Sequence, residues 1–171
     1  MTDGNVASAL LVRAADPGGR DSVAIRRLVE VYLRQTELEK AQHLSGLDHP
    51  HDVNVPERYR EEVEYPDRAY RSAVVHLAEI DRAPVGVVVM QPTADAREIK
   101  RLWVDPTSRG RRVGSTLLDT ALRGADLPTR LTVWDWRRDA IALYQSRGFV
   151  VVPSWEERPR LVCMERAPIF R

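Results

Sequence analysis

Cysteine is nearly absent: Cys163 is the only one in 171 residues, so no intramolecular disulfide can form and a Cys-rich zinc site is excluded. Its neighbours Leu161, Val162 and Met164 are apolar, which marks a buried structural thiol rather than a nucleophile or acyl carrier. Lysine is nearly absent too, with Lys40 and Lys100 the only two among 26 basic residues, a bias that carries no functional weight. Charge of one sign is lacking as well. The formal net charge of +1 creates no global field toward nucleic acid or an anionic membrane, so neither is expected as a partner. No apolar run approaches the ~20 residues of a membrane span, and no basic N-terminal segment leads into an apolar core with a cleavage site. The expected location is the cytoplasm. Two phosphate-binding motifs are missing, the GxxxxGK[ST] loop and the dinucleotide GxGxxG.

What is present fits one α/β domain over residues 1–171. Hydrophobic residues make up 43% and charged residues 30%, enough of each for a buried core and a solvated surface. Residues 9–14 read as a strand, followed by an Asp16-Pro17-Gly18-Gly19 turn. Asp21 or Ser22 is placed to cap a helix running to about Lys40, with Ile25, Leu28, Val29 and Tyr32 on one face. Periodicity vanishes from Ala41 to Pro56, which reads as a loop. His43, His49 and His51 mix there with Asp48 and Asp52, yet no pair has the spacing of a helix or finger site, so no metal is expected. Residues 56–65 are a second helical candidate, opened by Pro56.

The middle is β. Residues 72–80 and 85–90 form a hairpin about an Asp81-Arg82-Ala83-Pro84 turn. Residues 97–104 form a third strand in which Glu98, Lys100 and Leu102 alternate with Ile99, Arg101 and Trp103. Val113, Leu117, Leu118, Ala121 and Leu122 make a helical stripe that ends near Gly124. A strand at 130–134, a helix at 138–147 and strands at 148–152 and 161–165 complete the chain. The expected architecture is a mixed twisted sheet of about six to seven strands flanked by about four helices.

The most informative segment is Val104-Asp105-Pro106-Thr107-Ser108-Arg109-Gly110-Arg111-Arg112-Val113-Gly114-Ser115, which leaves a strand, turns at a proline and enters a helix. The first turn of a helix exposes unpaired N–H groups and the positive end of its dipole, a site suited to phosphate oxygens. Gly110 and Gly114 remove side chains where a ligand or neighbouring backbone comes close, and Arg109, Arg111 and Arg112 add full charges. The bland alternative is a basic loop ahead of an ordinary helix.

Residues 98–106 followed by Arg109–Gly114 resemble the central motif of the GCN5-related N-acetyltransferase (GNAT) superfamily. Ala140-Ile141-Ala142-Leu143-Tyr144 and the Gly148-Phe149 pair resemble its second motif, in the right order. The resemblance implies a mixed sheet whose fourth and fifth strands splay apart, with acetyl-CoA or another acyl-CoA wedged between them as co-substrate. It implies that the backbone of Leu102, Trp103 and Val104 pairs with the pantetheine arm. The amides of Gly110, Arg111, Arg112, Val113, Gly114 and Ser115 then hold the pyrophosphate, beside Arg109 and Ala140. Two positions depart from the pattern. Arg112 stands where the family most often has glycine and is expected to take a helical φ. Arg137 stands where an asparagine is common, and is expected to reach a phosphate in its place.

Amide formation from a thioester needs a neutral amine, a polarised carbonyl and a proton for the leaving sulfur. Tyr144 stands where the family commonly has its general acid; its other reading is a packing residue. Glu98 is the candidate base, directly or through water; its other reading is a salt bridge with Lys100 or Arg97. Trp134 and Trp136, with Asp135, read either as a wall of the acceptor site or as core, and the Ala41 to Pro56 loop reads either as a lining of the acceptor pocket or as a solvated connection. Glu57, Glu61, Glu62 and Glu64 read either as a field for a cationic acceptor or as a solvated face. The expected partner is a small-molecule amine, with a protein amine second and a homodimer allowed by the resemblance. A non-catalytic acyl-CoA sensor and a nucleotide-binding module are the rival readings.

Overall fold

The structure is a computed structural model and describes residues 9–46 and 53–169. Seven strands are present: β1 (Leu10–Ala14), β2 (Val74–Ile80), β3 (Ala83–Pro92), β4 (Arg97–Val104), β5 (Thr129–Trp134), β6 (Val150–Val151) and β7 (Leu161–Arg166). They join in one sheet in the order β1-β2-β3-β4-β5-β7-β6, with β4 and β5 parallel and every other pair antiparallel. Five helices flank it: α1 (Ser22–Ser45), α2 (Arg60–Glu64), α3 (Pro66–Ala69), α4 (Val113–Ala121) and α5 (Arg138–Gln145). This is the expected α/β architecture, with the second helical candidate divided. Glu57–Tyr59 is a 3-10 turn, α2 follows it, and Pro66 opens α3.

Two cores sit on opposite faces of the sheet. Ile25, Leu28, Val29 and Leu33 of α1 bury themselves against Val75, Leu77, Val87, Val89 and Trp103. Leu117, Leu118 and Ala121 of α4, with Tyr144 of α5, cover Ala78, Val88, Ile99, Leu131 and Met164 on the other face. Ile99 and Trp103 therefore part company, although simple alternation along β4 puts them on one side. The cause is a bulge. Arg101 pairs with Val89 and Ile99 with Met90, so Lys100 is an extra residue that resets the pleat.

Three further expectations change. α1 continues past Lys40 to Ser45, where Gly46 in the left-handed conformation (φ 65°) returns its N–H to the Ala41 carbonyl. The apolar period fades before the helix does, because the last turns present polar residues to a cavity. Asp21 stands at the start of α1 without capping it. Its carboxylate instead takes two hydrogen bonds from Arg13, at 2.8 and 2.9 Å, and one from the Asp16 amide. The β2–β3 turn is tighter than expected, with Asp81 and Arg82 both at positive φ and Pro84 already in the strand. The ladder tolerates that proline because a shift beside Ala78 and Glu79 leaves Val85 without a partner there. Among the described residues no helix is long and apolar enough to cross a membrane.

Candidate active site

The β4–β5 ladder is short. It joins Arg97 to Thr129, Glu98 to Arg130 and Ile99 to Leu131, and then stops. Beyond the Lys100 bulge, β4 keeps its bonds to β3 while its edge toward β5 is free. A cavity of about 1050 Å³ opens there. Every residue singled out in the sequence as catalytic or cofactor-binding lines it, except Arg111.

At one end lies the loop into α4. Pro106–Ser108 is a 3-10 turn, Gly110 has φ 76°, and Arg112 has φ 62° and ψ 12° immediately before the helix. The helical φ expected at Arg112 is thus replaced by a left-handed one. That conformation favours glycine, the residue the family usually places here. The Arg112 carbonyl accepts from the Thr116 amide at 3.0 Å and hydroxyl at 2.9 Å, which locks the turn. Val113, Gly114 and Ser115 form the first turn of α4 and present amides without intrahelical partners. Arg109 lies over the Trp103 ring at 4.9 Å and donates Nε to the Val104 carbonyl at 3.3 Å. Among the described residues neither Arg109 nor Arg112 is ion-paired.

Tyr144 lies deeper, 7% exposed, edge-on to Phe149 at 5.7 Å and within the α4–α5 core. Packing and cavity-lining thus hold together for this ring. Burial pushes its hydroxyl well above the usual tyrosine range, Tyr32 adds to the rise, and Arg137 opposes it. Glu98 lines the cavity with its carboxylate 2.9 Å from the Lys100 ammonium.

Arg137 also lines the cavity, but its guanidinium is engaged elsewhere. It donates to Glu39 at 2.7 Å and to Thr36 at 2.8 Å, and it lies over the Tyr32 ring at 5.2 Å. In place of the expected reach to a phosphate, it ties the start of α5 to α1. Trp136 bonds the same Glu39 oxygen at 2.9 Å. Burial alone would raise the Glu39 carboxyl, but the hydrogen bond and charge of Arg137, with help from Trp136 and Gln35, hold it below the usual range.

The expected acidic field is largely neutralised. Glu57 and Glu64 pair with Arg60 at 2.9 and 3.0 Å. Glu62, the one member of that group lining the cavity, grips Arg101 at 2.7 and 3.0 Å and accepts from the Tyr70 hydroxyl at 2.7 Å. Trp134 and Trp136 stack at 4.7 Å and both line the cavity, whereas Asp135 is paired with Arg160 outside it. Cys163 is buried at 1% and does not line the cavity. His43 stacks on Trp136 at 4.6 Å, while Asp48, His49, His51 and Asp52 lie outside the described residues.

Sequence reasoning missed Tyr32, Thr36 and Glu39 in the α1 wall of this cavity, and it gave His43 to a pocket-lining loop where the structure has it on the helix. A signal existed. These four continue the buried stripe at i, i+4, i+7 and i+11 after its apolar members end, so the helix kept its inward face while changing its chemistry.

Residues 71–151 match the acetyltransferase (GNAT) domain family. No protein with a curated description matches the chain in sequence. Solved structures share its fold at low identity. A histone acetyltransferase HPA2 and related acetyltransferase from Corynebacterium glutamicum has a TM-score of 0.66 at 19% identity, covering 95% of this chain and 98% of its own. The PaiA N-acetyltransferase of Thermoplasma acidophilum, solved with coenzyme A, gives 0.62 at 17%, with 93% and 99% covered. Ard1 from Thermoplasma volcanium gives 0.59 at 22%, with 95% and 99% covered.

Proposed function

We propose that the chain is a GNAT-superfamily enzyme that acetylates the primary amine of a small molecule, a reading supported by the match of residues 71–151 to the GNAT acetyltransferase domain and by a fold shared with acetyltransferase structures. The observation that carries this reading is the opening between β4 and β5, which joins a basic helix start to a deep tyrosine in one cavity. Acetyl-CoA supplies the activated acyl group as a thioester. The residues present suit it. Two unpaired guanidiniums and the free first-turn amides of α4 match an anionic headgroup, and the free edge of β4 at Leu102–Val104 matches an extended amide-bearing arm. Arg111 donates from its backbone on this reading, since its side chain stands away from the cavity wall.

Tyr144 holds a proton for the departing sulfur. Its buried hydroxyl stays protonated across the physiological range, which is the state an acid must hold before the step. Glu98 takes the proton of the attacking amine, directly or through water, on leaving its contact with Lys100. Reaction takes place in a ternary complex without a covalent enzyme intermediate, a reading supported by the absence of Cys163 from the cavity wall.

The test is thiol release from acetyl-CoA with a panel of small amines, beside peptides offering an N-terminal or lysine amine. Turnover on a small amine is expected, with Tyr144→Phe lowering kcat by about 10²-fold or more at unchanged KM for acetyl-CoA. Tight coenzyme binding with no release on any amine would convert the protein into a sensor. Release on peptides alone would move the acceptor to a protein.

A further inference from the structure

Past Ile99 and Leu131 no strand pairing joins β4 to β5, so other contacts set the width of the opening. α1 belongs to one side of it, since its apolar face is buried against β2, β3 and β4. The last turns of α1 nevertheless reach across to the other side. Arg137, immediately before α5, donates Nε to Glu39 at 2.7 Å and a terminal nitrogen to Thr36 at 2.8 Å. Trp136 donates to the same Glu39 oxygen at 2.9 Å, and Gln35 of α1 donates to the other at 3.1 Å. Further along α1, His43 stacks on Trp136 at 4.6 Å, and its carbonyl accepts from Arg160, just ahead of β7, at 3.0 Å.

This network ends on fixed points. The Thr36 hydroxyl donates to the Tyr32 carbonyl at 2.8 Å. The Arg137 guanidinium lies over the Tyr32 ring, which in turn meets Trp103 of β4 edge-on at 6.0 Å. The Arg137 and Glu39 side chains are 17% and 19% exposed, and a polar network satisfied at such depth is rigid.

α5 depends on that hold. Tyr144 is its only buried residue, while Ala140, Ile141 and Leu143 pack in part. Its far end is fastened to α4 by Arg147, which pairs with Asp119 at 2.9 Å. Its near end is fastened to α1 through Arg137. Arg137, Ala140 and Tyr144 fall at i, i+3 and i+7 and all line the cavity, so they share one face of the helix. Two helical turns, about 10 Å, are stiff enough to carry a shift at Arg137 to the Tyr144 hydroxyl.

From this arrangement, which rests on the acetyl-transfer reading, we propose that Arg137 and Glu39 are positioning residues that clasp the two sides of the opening and hold Tyr144 at the leaving sulfur. They act through α5 and not by contact with the reacting atoms.

The double variant Glu39→Leu, Arg137→Met removes both charges together and leaves neither buried alone, so its Tm should stay within about 4 °C of the unaltered chain. Its kcat for thiol release is expected to fall about tenfold or more, because a displacement of about 1 Å is enough to spoil the transfer. KM for acetyl-CoA and the calorimetric Kd for CoA should change by less than about twofold. Arg137→Lys keeps the ion pair, gives up the Thr36 bond and should retain kcat to within about threefold. Glu39→Gln keeps the volume of the pair and serves where the double variant does not fold. It should lower kcat about threefold at unchanged KM for acetyl-CoA. Hydrogen exchange reads the clasp without catalysis: amides of residues 141–145 should exchange about tenfold faster in the double variant, and several-fold faster in Glu39→Gln, with those of α4 unchanged. Full kcat in the folded variants overturns the inference and leaves acetyl transfer standing. So does a loss of kcat with KM for acetyl-CoA raised in proportion, which would make Arg137 a ligand of the cofactor. Silence of the unaltered chain on every amine defeats acetyl transfer instead, and unchanged exchange in α5 then overturns the clasp as well.

Discussion

Arg112 shows how one residue can oppose local stability and still belong where it stands. A left-handed backbone costs a non-glycine residue roughly 1 kcal/mol, part of which glycine would lose again through its freer unfolded chain. Arg112→Gly is therefore expected to raise stability by up to about 1 kcal/mol, a gain of a few degrees in Tm for a chain of this size. The same change removes one of the two unpaired cations lining the loop end of the cavity. CoA affinity should fall about three- to tenfold, with a shallower salt dependence, as expected for one charge-assisted contact to phosphate. Calorimetric titration at two salt concentrations reads both. An unchanged Kd would leave the backbone alone as the phosphate ligand and make the guanidinium a bystander.

At the scale of elements, the β1–α1 corner is held by charge rather than by a helix cap. Arg13 on β1 bonds Asp21 at the start of α1 and Glu79 on β2, at 2.8 and 2.6 Å. The Arg13 hydrogen bonds, helped by the Asp16 amide and opposed by burial, bring the Asp21 carboxyl down to about 2. A carboxyl depressed in the fold contributes stability above its unfolded pKa, near 4, and loses it as pH falls toward the folded value. Urea unfolding followed from pH 5 to pH 2 should therefore weaken steadily. Asp21→Asn should cost about 1–3 kcal/mol at neutral pH and flatten that acid limb. An acid limb unchanged in the variant would place the dependence on other carboxylates. This corner also marks where sequence reading stops. The strand bounds of β4 and the start of α4 were legible because apolar period, proline and glycine all act locally. Asp21 as an anchor for Arg13, the Lys100 bulge and the Glu39–Arg137 tie were not, because each depends on a partner eight to ninety-eight residues away or on strand register. Tyr144 was legible as a cavity residue through its motif, while the α1 wall was hidden by its polar chemistry.

For the whole molecule, the sheet is two ladders hinged at Ile99 and Leu131: β1 to β4 on one side, β5 to β7 on the other. Past that hinge the halves share no strand pairing, although β4 and β5 remain neighbours in the sheet order. A ligand with a strand-like arm along β4 and phosphates on α4 would replace part of the missing ladder and bind the folded state alone. Coenzyme A at a hundredfold excess over its Kd is thus expected to add about 2.7 kcal/mol, or roughly 5–10 °C in Tm. ATP and NAD lack the amide-bearing arm and should give much smaller shifts at equal concentration. Hydrogen exchange localises the effect. Amides in residues 100–104 and 132–134 should slow on coenzyme binding, whereas those of β2 and β3, each paired on both sides, should follow only the global stability. Equal stabilisation by ATP, or protection confined to the 109–115 loop, would mean that phosphates alone are recognised and that the open edge of β4 takes no part.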